Sequence, residues 1–88
     1  MIMTVGDIFQ LEGRGTVLTG SILPDSPPVR KGDAIELHTP QGVCIANSVV
    51  EIEFFRGANP RAVGLLLASS LTLEDLPRGS EVRHVGPA

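Results

Sequence analysis

The chain has 88 residues, of which 42% are hydrophobic, 19% charged and 3% aromatic, and its net charge is −3. This length and hydrophobic content indicate a single globular domain, which we place over residues 1–88. The acidic balance excludes a broad basic surface for binding polyanions, although a small local basic patch is compatible with it. Ten glycines and seven prolines exclude long helices, and the valine, isoleucine and leucine that must form the core favour strands.

Cellular context follows from features that the chain lacks. Its single cysteine, Cys44, cannot form an internal disulfide, which argues against a disulfide-stabilised secreted domain. No stretch approaches the roughly 20 apolar residues that a membrane-spanning helix needs. The first residues do not show a basic segment followed by a long apolar one, as a signal peptide would. We therefore expect a cytoplasmic protein with no membrane partner.

Turn signals divide the chain into short apolar runs. Glycines at positions 13, 15 and 20, a proline-rich loop at 24–28 and turns at 31–33, 40–42, 57–60 and 77–79 mark the boundaries. These signals predict six strands, over residues 5–11, 16–22, 34–39, 43–55, 62–68 and 81–85. Residues 72–76 alone favour a helical conformation, for about one turn before Pro77 ends it.

Alternation of apolar and polar residues predicts which side chains face the core. Ile35 and Leu37 alternate with polar residues in one strand, and Val50, Ile52 and Phe54 do so in the next. Residues 63–67 are continuously apolar with a glycine inside, which is typical of a strand covered on both sides or bent at the glycine.

The predicted fold is all-β. Six short antiparallel strands must protect the edges of their sheet, and closure into a small six-stranded antiparallel β-barrel achieves this. The high glycine content suits the strongly coiled strands of a barrel. A small β-sandwich is the alternative.

Signatures for nucleotide, metal and cofactor binding are missing or incomplete. The sequence contains no phosphate-binding P-loop, and Leu18 stands where a dinucleotide fingerprint beginning at Gly13 needs its third glycine. The nitrogen and sulfur ligands are His38, Cys44 and His84, one fewer than the four ligands of a structural zinc site. We predict neither a metal nor a cofactor.

One group of residues has the composition of an activated nucleophile. If Gln41 lies at the tip of a hairpin, His38 and Cys44 pair across the two strands, and Glu36 shares their face. A carboxylate, an imidazole and a thiol in a row are the parts of such a nucleophile. No glycine-rich loop or helix N-terminus is at hand to form an oxyanion hole, so we interpret them as surface residues beside a turn and predict no enzyme.

The few basic residues suggest a binding surface. Arg14 lies between two glycines, Arg56 follows Phe55, and Arg61 follows the loop at 57–60. An aromatic ring beside an arginine can stack against the end of a single-stranded nucleic acid. Alternatively, the aromatic rings belong to the core and the arginines are solvated or paired with nearby carboxylates.

Five blocks of sequence resemble the second domain of translational GTPases of the elongation factor Tu type. Residues 13–20 (GRGTVLTG) resemble the family's G-R-G-T-V-x-T-G signature, and residues 29–37 (VRKGDAIEL) its V-x-x-G-D-x-[VI]-E-[IVL] segment. Residues 52–56 (IEFFR), 62–67 (AVGLLL) and 74–79 (EDLPRG) are similar to I-E-M-F-R, N-V-G-L-L-L and E-D-[IV]-x-R-G. The blocks occur in family order and span most of the chain.

The resemblance implies a closed six-stranded antiparallel barrel that packs against a GTPase domain. It further implies contact with the acceptor end of tRNA or with ribosomal RNA. By position, Glu53, Phe55 and Arg56 match the motif that lines the family's acceptor-end pocket, and Arg14 matches the signature arginine. With Arg61, these residues are the predicted binding site for RNA or another partner.

Three positions differ from the family pattern. Ser21 and Ala68 replace arginines, and Ala62 replaces an asparagine. Two functions therefore remain open: an RNA-binding module of translation, and a protein-interaction module whose partner is a GTPase domain or another protein. The lost basic groups and the net charge favour the second, and the matched site residues favour the first.

Overall fold

The structure is a computed structural model that describes residues 1–55, 57 and 59–87. It is all-β, and the described residues contain no helix. The seven strands are β1 (Met3–Thr4), β2 (Asp7–Leu11), β3 (Gly15–Ser21), β4 (Asp33–His38), β5 (Cys44–Phe54), β6 (Ala62–Leu67) and β7 (Glu81–Pro87).

The strands form one antiparallel sheet in the order β1-β7-β4-β5-β6-β3-β2, curled into a half-barrel. The long strand β5 joins the two halves, pairing with β4 through its first part and with β6 through its second. A register shift between Val49 and Glu51 lies near the start of the pairing with β6. Such an irregularity bends a strand and increases its twist, which turns the sheet over the core.

The predicted closed six-stranded barrel is wrong in strand number and in closure. All six predicted strands are present, with ends within two residues of the prediction. The seventh strand is β1, which lies outside the predicted strands and pairs with β7. The strand ladder ends at β1 and at β2, and β1 reaches the other half through the isolated bridge between Met3 and Ile22. A two-residue strand is too short to complete the ring of hydrogen bonds.

Strand alternation defines an inner and an outer face. Val63, Leu65 and Leu67 of β6 lie in the core, as do Ile35 and Leu37 of β4. The described core contains no phenylalanine, in agreement with a prediction of an interior of aliphatic side chains. Full burial of such a side chain stabilises the fold by about 1.5–3 kcal/mol.

The prediction for β5 is only partly right. Ile52 packs against the core, but Val50 and Phe54 are exposed, with 45% and 68% of their surfaces accessible. The cause is the register shift: Val49 takes the inward position, and Val50 is the extra residue at the irregularity. Phe54 is the last residue of the strand, where the sheet no longer covers it.

Residues 72–76 form a single turn. The backbone amides of Asp75 and Leu76 both donate to the Thr72 carbonyl oxygen, at 3.0 Å each. This turn places Leu76, which is fully buried, against the core. Across the described part of the chain, no helix has the length and apolar character needed to cross a membrane.

Candidate functional site

The predicted site residue Arg14 belongs to a tight turn between β2 and β3. The Arg14 amide donates to the Leu11 carbonyl oxygen at 2.9 Å, and Gly13 has a φ of 76°. That conformation is favourable for glycine and costly for other residues. The turn leaves the Arg14 side chain exposed at the end of the β2–β3 hairpin.

Arg14 borders a cleft on the outer face of β3, β6 and β5, which we name the Gly64 cleft. Its volume is about 160 Å³. Two of the predicted residues, Arg14 and Glu53, line it. The full lining consists of Leu11, Arg14, Val17, Glu51, Ile52, Glu53, Gly64 and Leu66.

The missing side chain of Gly64 makes room for an aromatic ring. A Cβ atom at this position would lie 3.1 Å from Cζ of Phe55 and 3.1 Å from Cγ1 of Val17. The ring of Phe55 therefore rests over Gly64, while 41% of the residue's surface stays accessible to solvent. In register, Gly64 lies opposite Glu53. Arg14, Glu53 and Phe55 are thus brought together around one recess.

The floor of the cleft is apolar although it faces away from the core. Val17 and Leu66 are paired across β3 and β6, and each is only 8% exposed. Neither belongs to the main core cluster, which contains their neighbours Leu18 and Leu65. The outer face of this half of the sheet therefore carries its own small apolar surface under the polar rim.

Carboxylates and cations both lie at the rim of the cleft. Lys31 Nζ lies 2.9 Å from Glu51 Oε1. The hydrogen bond from Lys31 lowers the pKa of Glu51, and the nearby charges of Lys31 and Arg14 act in the same direction. The rim therefore offers both hydrogen-bond acceptors and positive charge.

Arg61, another predicted site residue, is not among the residues that line the cleft. Arg61 precedes β6, where its amide donates to Asn59 Oδ1 at 3.0 Å and its carbonyl oxygen accepts from the Ile22 amide. Arg56 lies outside the described residues.

Sequence reasoning missed Lys31, Val17 and Leu66. The alternation of β6 identifies Gly64 and Leu66 as one face, a signal that was present in the sequence. Lys31 precedes β4 in the chain and reaches Glu51 only through the packing of the 31–32 turn on β5, where the Gly32 amide donates to the Val49 carbonyl oxygen. No local pattern indicates that contact.

The other half of the sheet carries the cluster Glu36, His38 and Cys44, which we name the 36/38/44 cluster. His38 and Cys44 are a cross-strand pair of β4 and β5, as the hairpin hypothesis required. His38 Nε2 lies 3.1 Å from Glu36 Oε1 and 3.7 Å from Cys44 Sγ. A groove of about 470 Å³ runs beside His38, bordered by Glu81 and Arg83 of β7.

His84, the third residue with a nitrogen or sulfur atom that could bind a metal, has a different role. Its Nε2 lies 2.9 Å from Asp33 Oδ2, which also accepts a hydrogen bond from the Arg30 amide. The Arg30 amide, followed by the hydrogen bond of His84, lowers the pKa of Asp33. These contacts join the start of β4 to β7, so we assign His84 a role in stabilising the pairing of these two strands.

Comparison of the chain with known protein families found no family whose profile matches it.

Proposed function

We propose that the chain is a non-catalytic binding module of translation, similar to the second domain of elongation factor Tu, and that its Gly64 cleft holds the end of a single-stranded RNA. The observation that carries the proposal is the convergence of Arg14, Glu53 and Phe55 on one recess. The sequence resemblance adds support, because these three are among the four residues that it indicated.

The chemistry of the three side chains suits an unpaired nucleotide. The accessible Phe55 ring offers a surface on which one base stacks, an interaction worth about 1–3 kcal/mol per base. The Glu53 carboxylate accepts hydrogen bonds from a ribose 2′-hydroxyl or from a base amino group. Arg14 provides a contact for a phosphate oxygen.

The size of the cleft and the charge of the chain favour a strand end over a duplex. At about 160 Å³, the cleft is smaller than the roughly 300–1,000 Å³ that enclose a complete small-molecule ligand. Seven basic residues against ten acidic ones leave too little positive charge to follow a duplex backbone. A tRNA acceptor end or an exposed strand of ribosomal RNA fits these limits, and either partner implies a cytoplasmic protein.

The test is a fluorescence-anisotropy titration with a labelled RNA stem that ends in a single-stranded 3′ overhang. We expect binding at low salt, and Phe55→Ala should weaken it by about 5- to 150-fold, the loss of one stacked base. Arg14→Ala should weaken binding. It should also reduce the magnitude of the slope of log affinity against log salt by about 1, the loss of one phosphate contact.

Matched variants control for general surface effects. Phe54→Ala removes an adjacent, more exposed ring that is not part of the cleft, and Arg83→Ala removes the same charge from β7. Both should bind the overhang RNA like the unmodified protein. Equal binding of a blunt stem, equal loss in the control variants, or no binding at low salt would contradict the proposal.

A protein partner is the second candidate, favoured by the exposed edge of the sheet next to the cleft. Phe9 lies on the edge strand β2 with 52% of its surface accessible, and the net charge is −3. An exposed ring on an unpaired strand edge is suited to docking another chain, such as a GTPase domain. Under this alternative, Phe9→Ser weakens co-elution with a translational GTPase domain, whereas Phe55→Ala leaves it unchanged.

A further inference from the structure

We propose that the 36/38/44 cluster is a Zn²⁺ site with three protein ligands and one open position. The ligands are Glu36 Oε1, His38 Nε2 and Cys44 Sγ, all on the outer face of the β4–β5 hairpin. The proposal does not depend on RNA binding, because the Gly64 cleft lies on the other half of the sheet.

The hairpin places the three ligands before any ion arrives. His38 is the last residue of β4 and Cys44 is the first of β5, so the pair closes the hairpin ladder. The Thr39 amide donates to the Val43 carbonyl oxygen at 2.9 Å, and the Val43 amide donates to Thr39 Oγ1 at 3.0 Å. These bonds hold the turn, and strand alternation puts Glu36 on the same face as His38.

The spacing of the donor atoms matches the edges of a tetrahedron. Zn–N and Zn–S bonds of about 2.0 and 2.3 Å at tetrahedral angles require an N–S separation of about 3.5 Å and an N–O separation of about 3.3 Å. His38 Nε2 lies 3.7 Å from Cys44 Sγ and 3.1 Å from Glu36 Oε1. All three donors lie within 4.8 Å of one another, so small side-chain rotations complete the site.

The use of a single ring nitrogen distinguishes metal binding from nucleophile activation. A carboxylate–histidine–thiol relay needs the carboxylate at one imidazole nitrogen and the thiol at the other. Here both groups approach Nε2 of His38. Three donor atoms that converge on one point form a coordination site. Because the thiol and the carboxylate share one nitrogen, the imidazole ring of His38 cannot pass a proton from one to the other.

The surrounding charges leave Glu36 available to an ion. Its partner on β7 is Arg83, whose Nη2 atom is held 2.7 Å from Glu81 Oε1. Arg83 is therefore directed to Glu81. A thiolate and a carboxylate together carry two negative charges, which a divalent ion neutralises.

The ligand types select zinc and predict an open position. One thiolate, one imidazole and one carboxylate are the donors that Zn²⁺ accepts, whereas Mg²⁺ and Ca²⁺ require oxygen ligands throughout. Three protein ligands leave the fourth position to water. Because Cys44 is exposed and His38 borders a groove, that position faces solvent.

The test is titration of the metal-free, reduced protein with Zn²⁺ by calorimetry and with Co²⁺ by absorption spectroscopy. We expect one equivalent of ion per chain and a thiolate-to-cobalt charge-transfer band. Loss of an outer partner of a metal site costs about 10–100-fold in affinity, so loss of a direct ligand through Cys44→Ser or His38→Gln should cost at least about 100-fold. Glu36→Gln should weaken binding while retaining the thiolate band.

The control is Glu12→Gln, which alters an exposed carboxylate in the turn between β2 and β3, away from the cluster, and should bind Zn²⁺ normally. Urea unfolding of each variant checks that the fold is retained, and partial exposure of the three ligands makes retention the expected result. Absence of the charge-transfer band, unchanged affinity in Cys44→Ser, or half an equivalent of ion per chain would overturn the proposal.

Discussion

The two halves of the sheet present different surfaces although strand β5 runs through both. Toward its end, β5 contributes Glu53 to a recess, because the neighbouring residue on β6 is Gly64 and has no side chain. At its start, β5 contributes Cys44 to the 36/38/44 cluster on the outer face, where each of the three positions carries a side chain. The Gly64 cleft thus depends on the absence of a side chain at one position. The 36/38/44 cluster depends only on the register in which β4 and β5 pair.

The two faces also differ in what supports them. The cleft has an apolar floor of its own, formed by Val17 and Leu66. The 36/38/44 cluster lies directly above the inward-facing residues of β4 and is bounded by ion pairs of β7. We therefore expect substitutions in the cleft half to affect packing and binding together, and those in the other half to act mainly through charge.

The largest predicted effect compares two adjacent leucines of β6. Leu65 is fully buried in the core, and Leu66 lies on the cleft floor at 8% exposure. Leu65→Ala should lower the free energy of unfolding by about 3–5 kcal/mol, because it leaves a closed cavity. Leu66→Ala should cost about 1.5–3 kcal/mol, since water enters the open space. Urea denaturation measures both, and a larger loss in Leu66→Ala would contradict the assignment of the two faces.

The next effect concerns the recess itself. In Gly64→Ala, the new Cβ atom meets Phe55 and Val17 at 3.1 Å, so the exposed ring is displaced. We expect affinity for the overhang RNA to fall about tenfold, a change of about 1.4 kcal/mol. Ala46→Val, an enlargement at an exposed position of the same sheet, is the control for anisotropy titration. Unchanged affinity in Gly64→Ala would show that the ring position is irrelevant to binding.

The smallest effect is a difference in acid sensitivity between the halves. The folded state holds the pKa of Asp33 below its ordinary value of 3.8. Its stabilising contribution is therefore complete above that value and is lost as the pH falls through the folded-state pKa. Glu51 has a lowered pKa as well, but its partner Lys31 is largely solvent-exposed, which weakens the coupling.

Thermal unfolding midpoints at about pH 6 and about pH 3 test this difference. Asp33→Asn should reduce the acid-induced drop in the midpoint more than Glu51→Gln does. The physical reason is that Asp33 is almost fully buried and accepts two hydrogen bonds, from Arg30 and His84. An equal or larger reduction in Glu51→Gln would indicate that the cleft half controls acid unfolding.

Local patterns in the sequence were sufficient for the strands and for part of the site. Glycine and proline marked the turns, and alternation placed Ile35 and Leu37 in the core. The turn signals also predicted that His38 pairs with Cys44, because the two residues are close in sequence on either side of a hairpin turn. The strand β1 was missed because two residues are too few to show a period.

Contacts between distant parts of the chain limited the prediction of the site. Lys31 reaches Glu51 through packing of the 31–32 turn on β5, and the outward position of Val50 follows from a register shift. Arg61 was grouped with Arg14 as one of the few basic residues, and it is not among the residues that line the cleft. Charge and residue type do not determine such placements, because they depend on how the sheet curls.

The most direct test of the central claim is NMR mapping of the proposed RNA-binding surface. A ¹⁵N-labelled sample titrated with the overhang RNA should show amide shift changes at Glu53, Phe55, Gly64 and the turn containing Arg14, with β4 and β7 unchanged. Addition of Zn²⁺ to the free protein should instead shift amides around His38 and Cys44. RNA-induced changes centred on β4 and β7, or none at low salt, would contradict the account.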